Sequence, residues 1–175
     1  MLLALDPGAS TGVAWGMPGS VPKFATWVAP WSRKTASVDL GQALSWFEDE
    51  LQAFVRQTKV SHIVFEAPWM PRGQRADMET LKLVTCLCGL IEKVAFERGV
   101  TVEEIAGATW KLAVMGKGGP QHKRPIQQNL RMRGLSPRDF HQADAGGVWL
   151  AAQFLREPAL REIYRPMASA IGGRA

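Results

Sequence analysis

The order in which apolar patterns follow one another along the chain constrains its fold more than any other feature. Three short apolar runs bounded by proline and glycine come first, and they predict strands over residues 2–6, 12–16 and 24–28. Segments with helical spacing then alternate with single apolar runs. This order predicts an antiparallel three-stranded meander that continues into parallel strands linked by helices. The expected fold class is α/β, with one mixed central sheet flanked by helices.

The second part of the chain supplies the helices of this plan. An amphipathic helix is predicted where apolar residues recur three and four positions apart, at Leu40, Leu44, Phe47, Leu51 and Phe54. A strand is expected over residues 61–66, a helix over residues 78–98 and another buried strand over residues 100–105. Further helices are predicted over residues 109–114 and 125–133. Ser136 and Pro137 suit the N-cap and the first turn of a last helix.

The length of the chain bounds its organisation. Its 175 residues fit a single domain, which we expect to span residues 1–165 and to be followed by a loosely ordered tail over residues 166–175. No apolar run is long enough to span a membrane, and no basic segment precedes an apolar stretch at the N-terminus. Cys86 and Cys88 are too few for a disulfide scaffold or a zinc site. These features favour a cytoplasmic protein that does not associate with membranes.

Positive charge is concentrated in one stretch. The net charge is only +5, but the segment from residue 111 to residue 138 contains basic residues and no acidic one: Lys111, Lys117, Lys123, Arg124, Arg131, Arg133 and Arg138. Such a run predicts a surface that faces a polyanion. The alternative is a solvated basic face without a binding role.

Two acidic residues end predicted strands, and a third follows a histidine. Asp6 ends the first strand and Glu66 ends the fourth, so both side chains emerge at one sheet edge if these strands are neighbours. Adjacent carboxylates repel unless a cation lies between them, and Mg²⁺ prefers such oxygen ligands. His141 and Asp144 are three residues apart and share one helix face. The set suits a two-metal phosphodiesterase with ions ~4 Å apart.

Each of these residues also has an ordinary structural interpretation. Asp6 precedes Pro-Gly and suits a turn, and Glu66 suits a solvated strand end. His141 suits a helix cap or packing against Phe140, and Asp144 suits the first turn of a helix, where the dipole favours an acid. Spacing alone does not decide between four separate roles and one convergent site.

Four segments, taken in order, resemble a known family. They are LALDPGASTGVAWG (residues 3–16), VFE (64–66), WKLAVMGKG (110–118) with Lys123 after it, and HQADA (141–145). Together they resemble the RuvC-type Holliday junction resolvases, which have the RNase H-like fold. The resemblance spans residues 2 to about 155.

The resemblance implies an activity and a set of metal ligands. The implied enzyme is a metal-dependent endodeoxyribonuclease that hydrolyses phosphodiesters at Holliday junctions or other branched DNA and leaves paired symmetric nicks with 5′-phosphate and 3′-hydroxyl ends. Two Mg²⁺ or Mn²⁺ ions are implied in each active site, with ligands Asp6, Glu66, His141 and Asp144, and Lys123 joins these residues as catalytic. Histidine at the third position is a softer ligand that suits Mn²⁺, and it favours a phage-type member.

The same resemblance implies where DNA binds. It assigns DNA contacts to Lys111, Lys117 and Lys123, and Arg124 lies in the same basic stretch. A loop bounded by Pro68 and Pro71 adds further candidates, which are Trp69, Arg72 and Arg75. Trp69 stands where the family has a phenylalanine that wedges into the junction, and an aromatic ring there can stack on an unpaired base. The alternative is a tryptophan of the core.

The resemblance also bears on the oligomeric state and leaves alternative functions. A four-way junction has two-fold symmetry, so a homodimer is expected, and the apolar helix over residues 78–98 is the candidate interface. Asp6-Pro-Gly with Gly12 also resembles the phosphate-binding hairpin of actin-like ATPases and sugar kinases, but those need two such domains. An RNase H-type nuclease acting on RNA–DNA hybrids and a non-catalytic DNA-binding module remain as alternatives.

Overall fold

The computed structural model describes residues 1–29, 39–68, 78–116 and 123–166. Within these ranges the strands are Leu2–Asp6 (β1), Ser10–Gly16 (β2), Lys23–Val28 (β3), His62–Glu66 (β4) and Thr101–Ile105 (β5). The helices are Leu40–Thr58 (α1), Met78–Arg98 (α2), Gly107–Met115 (α3), Lys123–Met132 (α4), Phe140–Arg156 (α5) and Leu160–Ile163 (α6). The predicted elements are all present, with shifted ends, and the short α6 is an addition that the sequence patterns do not predict.

The five strands form one mixed sheet in the order β3-β2-β1-β4-β5. β1, β2 and β3 pair antiparallel, while β4 pairs parallel with both β1 and β5. The meander and the parallel strands predicted from the order of apolar patterns are therefore confirmed.

The core lies on both faces of this sheet. Alternate side chains of β1 point to opposite faces: Leu3 and Leu5 pack with α1 and α2, whereas Leu2 and Ala4 pack with the helices near the C-terminus. We call α1 and α2 the α1–α2 layer, and α3, α4, α5 and α6 the α5 layer. Each layer buries its own apolar cluster against the sheet, which fixes the sheet between them.

The helix α5 packs unusually close to its neighbours because two of its residues lack side chains. A Cβ atom on Gly147 would lie 2.5 Å from the Trp110 ring, and one on Gly146 would lie 3.0 Å from the ring of Phe24. A Cβ does not fit at 2.5 Å, and at 3.0 Å it fits only if the Phe24 ring gives way. Gly146 and Gly147 therefore allow α5 to approach Phe24 and Trp110 closely.

Two local predictions were wrong. The strand β5, which was expected to be buried, is an exposed edge of the sheet, with Glu103 and Glu104 in solvent. Charged side chains are common on edge strands, where water can solvate them. The last helix begins at Phe140 with Asp139 as its N-cap, not Ser136. Asp139 has a second partner on β3, and that tertiary contact is invisible in the local sequence.

Two further expectations concern membranes and the chain end. Within the described ranges, no helix combines the length and the apolar composition that crossing a bilayer requires. The predicted tail falls almost entirely on residues 167–175, which lie outside the described residues, so the domain boundary near residue 165 stays a prediction.

Candidate active site

Two carboxylates lie side by side where β1 and β4 end. Leu5 is paired with Phe65 across the parallel strands, so the next residues, Asp6 and Glu66, come to the same edge of the sheet. A tight turn follows Asp6: the Thr11 hydroxyl donates to the Gly8 carbonyl at 3.0 Å, and the Gly8 N–H donates to the same hydroxyl oxygen at 3.3 Å. This turn sends the chain straight back into β2 and leaves Asp6 at the edge.

The helix α5 reaches this edge because β2 has a glycine where the helix crosses it. Gly12 is the β2 residue opposite Asp6. A Cβ atom on Gly12 would lie 1.9 Å from the carbonyl oxygen of His141 and 2.4 Å from its carbonyl carbon. A glycine inside a strand permits such an approach of another backbone. The first turn of α5 therefore rests on β2, next to Asp6, and Asp144 follows one turn later.

Hydrogen bonds fasten the same turn of α5 to β3. Thr26, the β3 residue opposite Gly12, donates from its hydroxyl to Asp139 at 2.6 Å. The other Asp139 oxygen accepts from the backbone N–H of Gln142 at 2.8 Å, and the Gln142 side-chain amide donates to the Thr26 hydroxyl at 3.1 Å. The start of α5 is thus tied to two adjacent strands, which fixes its position relative to Asp6.

Asp6, Glu66 and Asp144 form one electrostatic group. Burial raises the pKa of each of these carboxyls. The negative charges of Asp144 and Glu66 raise the pKa of Asp6 further, well above its usual range, and Asp144 also raises the pKa of Glu66. Mutual repulsion of this kind means that the group favours an added positive charge.

Two lysines partly supply that charge. The Lys123 ammonium lies 3.4 Å from Asp144 Oδ2, and Lys111 on α3 lies 5.1 Å from the centre of the Trp110 ring. Both lysines lower the pKa of all three carboxyls. The pKa values still remain raised, so the two ammonium groups do not fully offset burial and repulsion.

The helix α3 packs directly against the Glu66 carboxyl. A Cβ atom on Gly107 would lie 2.5 Å from Glu66 Oε1, so a side chain at position 107 would push the Glu66 carboxylate out of its present place. The indole N–H of the buried Trp110 lowers the pKa of Glu66 without the alignment of a full hydrogen bond. Glu66 is therefore confined between the edge of the sheet and α3.

The donor set fits a hard divalent cation. Carboxylate oxygens suit Mg²⁺ and Mn²⁺, and an imidazole from His141 suits Mn²⁺ in particular. As the side chains stand, no three Asp, Glu, His or Cys residues of the described ranges are close enough together to hold one ion. Binding therefore requires the carboxylates to move towards a common centre and the Lys123–Asp144 ion pair to open. The repulsion of Asp6 by Asp144 and Glu66 would favour such a rearrangement around a cation.

The remaining predicted residues divide into two groups. His141 is partly buried in the first turn of α5, on the same helix face as Asp144, and Arg124 is exposed on the first turn of α4. The other predicted DNA contacts lie outside the described residues and stay predictions: Trp69, Arg72, Arg75 and Lys117.

Sequence reasoning missed the residues that position the site. Gly12 was noted only as part of a motif, although a glycine within a strand signals a close approach of backbone. Gly107 and the pair Thr26 and Asp139 have no signal in the sequence, because their partners are 41 or more positions away.

Comparison with known proteins supports the fold. No protein-family model matches the chain, and no curated protein matches it. Among solved structures, Thermus thermophilus RuvC in complex with Holliday junction substrate matches with a TM-score of 0.65 and 20% identity, over 89% of this chain and 94% of that chain. Another structure of T. thermophilus RuvC has a TM-score of 0.64 and 20% identity, over 89% and 95% of the two chains. The chain has the RuvC-type fold.

A more distant match with the RuvC-type fold is the yeast mitochondrial Holliday junction resolvase Ydc2, with a TM-score of 0.52 and 14% identity over 94% of this chain and 81% of that chain. The fold implied by the four sequence segments is therefore confirmed by comparison of backbones, which does not depend on the residues in those segments. In this RuvC-type fold the candidate residues occupy the ends of β1 and β4 and the first turns of α5.

Proposed function

We propose that the protein is a metal-dependent endonuclease that cuts Holliday junctions or other branched DNA and leaves paired symmetric nicks. The observation that carries the proposal is the meeting of Asp6, Glu66 and Asp144 at one edge of a RuvC-type sheet, with Lys111 and Lys123 beside them. The match to a RuvC structure that contains Holliday junction substrate supports the choice of DNA substrate.

The four predicted ligands have distinct mechanical roles in this proposal. Asp6 and Glu66 come from the ends of two neighbouring buried strands, whereas His141 and Asp144 come from α5, which is positioned by its contacts with β2 and β3. Two bound Mg²⁺ or Mn²⁺ ions would supply an activated water and stabilise the leaving oxygen. The protein's own contribution is to hold concentrated negative charge in place next to the substrate backbone.

Lys123 has a further role at the scissile phosphate. Its side chain is 55% exposed while its ammonium reaches the largely buried Asp144. A lysine in this position can exchange the carboxylate for a DNA phosphate when the site loads. There it stabilises the negative charge that develops on the phosphate during hydrolysis. Lys111, whose ammonium also lies near Glu66, holds the DNA backbone in the same way.

The proposal includes a wider DNA surface and a homodimer. Arg124 extends the basic surface from Lys123 on the first turn of α4, and the predicted contacts of Lys117, Trp69, Arg72 and Arg75 would continue it. Two symmetric nicks require two active sites related by two-fold symmetry, and a homodimer supplies them.

The decisive experiment offers several substrates under the same conditions. Purified protein is incubated with Mg²⁺ or Mn²⁺ and with an end-labelled four-way junction, a flap, a linear duplex or an RNA–DNA hybrid. We expect paired nicks at symmetric positions of branched DNA, bearing 5′-phosphates, and none after chelation of the metal. The Asp144→Asn variant serves as the control for contaminating nuclease.

The other outcomes would point to the alternative functions. Cleavage of the RNA–DNA hybrid alone would establish an RNase H-type enzyme and overturn the proposal. Binding of junctions without metal-dependent cleavage would establish a non-catalytic DNA-binding module.

A further inference from the structure

The indole N–H of Trp110 is a buried hydrogen-bond donor without an acceptor. The Trp110 side chain is fully buried, and among the described residues no hydrogen-bond partner reaches its Nε1 atom. A buried N–H that donates to nothing costs free energy, so such a group in a folded protein calls for an explanation. The surroundings of the ring indicate which acceptor this donor serves.

The orientation of the Trp110 ring follows from its contact with α5. Its atoms Cζ3, Cε3 and Cη2 lie 2.5, 2.7 and 3.1 Å from the place where a Cβ atom of Gly147 would stand. These three atoms form the edge of an indole ring that is farthest from Nε1. The N–H group therefore lies on the edge that is turned away from Gly147 and α5.

The Glu66 carboxylate is the neighbour of this polar edge. Gly107 lies one turn before Trp110 on α3, and a Cβ atom on Gly107 would be 2.5 Å from Glu66 Oε1. The Lys111 ammonium lies 3.8 Å from the same point and 5.1 Å from the centre of the Trp110 ring. Trp110 also lowers the pKa of Glu66, as an N–H beside a carboxylate does. Donor and carboxylate are thus close together, although they are not aligned as a hydrogen bond.

A second buried tryptophan provides a comparison within the same molecule. Trp149 on α5 is also fully buried, and its N–H also has no partner among the described residues. Its ring packs against Tyr164, with 5.8 Å between the ring centres, and next to Gly16. Gly16 is paired with Leu2, at the end of β1 opposite to the carboxylates. Trp149 is therefore a matched tryptophan that lies away from the candidate active site.

We propose that Trp110 is a positioning residue of the metal site, whose indole N–H donates to Glu66 when the carboxylates gather around a cation. This inference rests on the proposed function, in which Glu66 moves towards Asp6 and Asp144 as the site loads. The movement aligns one Glu66 oxygen with the N–H and leaves the other oxygen for the cation. Carboxylates that bind metals commonly accept such a second hydrogen bond, which fixes their orientation.

The same ring also connects the two elements that carry these ligands. Trp110 contacts Gly147, which lies one turn after Asp144 on α5, and its polar edge lies beside Glu66 at the end of β4. A ring in this place sets the spacing between Glu66 and the helix that carries Asp144. The N–H then adds a direction to that spacing.

The hydrogen bond can be observed directly by NMR in the absence of DNA. Protein that carries isotope-labelled tryptophan is titrated with Mg²⁺, and the indole signals are assigned from the spectra of Trp110→Phe and Trp149→Phe. We expect the Trp110 N–H proton to move downfield as the metal site fills, because a hydrogen bond to a carboxylate deshields it. The Trp149 signal should stay in place.

Metal affinity provides the second measurement. Trp110→Phe removes the donor but keeps an aromatic ring against Gly147. We expect the Mg²⁺ dissociation constant, measured by calorimetric titration, to rise about 10-fold, as for the loss of a hydrogen bond that supports a ligand. Trp149→Phe removes the same group and the same volume elsewhere in the core, and it should bind Mg²⁺ as the wild type does.

The outcomes separate this inference from the proposed function. A wild-type protein that binds Mg²⁺ without movement of the Trp110 signal would overturn the positioning role and leave the nuclease proposal intact. Equal metal affinities of Trp110→Phe and Trp149→Phe would do the same, since any shared loss would then come from packing. A wild-type protein that binds neither Mg²⁺ nor Mn²⁺ would overturn both proposals.

Discussion

The two helical layers pack on opposite faces of the same sheet, but their helices differ in how far they are buried. In the α5 layer, α5 is buried along nearly its whole length, and its polar residues contact β2, β3 and the carboxylates at the sheet edge. In the α1–α2 layer, each helix buries one face and exposes the other. The residues proposed for catalysis thus adjoin the layer whose central helix is buried on most sides, whereas the α1–α2 layer keeps one face exposed.

The comparison has a physical basis. A helix that has to hold charged side chains at fixed distances needs neighbours on several sides. Each of these contacts restricts the motion of the helix. A helix with one exposed face is restricted from fewer sides. Substitutions near the start of α5 should therefore reduce the cleavage rate more than matched substitutions in the α1–α2 layer.

The largest expected effect follows from removing the carboxylates. Asp6→Asn and Asp144→Asn should each reduce metal-dependent junction cleavage to background, because an amide is a much weaker ligand for a hard cation. Junction binding, measured by gel shift, should persist because lysine and arginine side chains supply most of the affinity. The matched control is Asp49→Asn on α1, an exposed residue of the other layer. Wild-type cleavage by either site variant at saturating protein would refute the assignment.

The next largest effect is expected at Gly12. In Gly12→Ala the new methyl group would collide with the backbone of His141, 1.9 Å away, and displace the start of α5. We expect a loss of about 1–3 kcal/mol of stability from overpacking, with a cleavage loss much larger than the residual unfolding explains. The control on the same strand is Gly16→Ala, where the nearest atom is a serine hydroxyl at 3.3 Å. Equal activities for the two variants at a temperature where both are folded would contradict the positioning role.

A smaller effect is expected from the hydroxyl that fastens α5 to β3. Thr26→Val removes the hydrogen bond to Asp139 and leaves that carboxylate without this partner. We expect a loss of about 1.5–3 kcal/mol of stability, as for hydrogen bonds to charged groups, together with slower cleavage. Thr58→Val, which removes a local bond to the Phe54 carbonyl in α1, should leave the cleavage rate unchanged. Similar losses of cleavage in both variants would make the distinction between the layers untenable.

The DNA contact proposed for Lys123 would have a measurable salt signature. Lys123→Ala should weaken binding to all DNAs and lower the slope of log affinity against log salt by about one unit, as for one phosphate contact. It should also slow cleavage at saturating protein and, by freeing Asp144 from its ion pair, lower the metal concentration that gives half-maximal occupancy. An unchanged salt slope with an unchanged rate would show that Lys123 is an ordinary surface residue.

The smallest expected effect is on the pH dependence of stability without metal. Because the pKa of Asp6 is raised in the folded state, the folded protein binds more protons than the unfolded chain between the unfolded value, about 4, and the raised value. The contribution of Asp6 to stability is therefore greatest at low pH and falls as the pH rises through this interval. Subtracting the melting curves of Asp6→Asn from those of the wild type should isolate this slope. A difference that does not change with pH would contradict the raised pKa.

Local pattern was sufficient for the order of most strands and helices and for the choice of candidate site residues. Asp6 and Glu66 could be assigned to strand ends because each follows a short apolar run. The structure was needed to show that β1 and β4 are parallel neighbours. His141 and Asp144 could be placed on one helix face from their spacing alone. The N-cap was misplaced because Ser136 and Asp139 are both acceptable locally, and only the contact with Thr26 decides between them.

What the sequence by itself determined is the set of elements and the acidic residues at their ends, since apolar periodicity and strand-terminal carboxylates are local properties of the chain. Only the tertiary structure decided that these carboxylates come together at one edge of the sheet. That outcome depends on close contacts between residues distant in sequence, such as Gly12 with His141 and Gly107 with Glu66. The effect of a glycine at either position can be recognised only when the segment that packs against it is known.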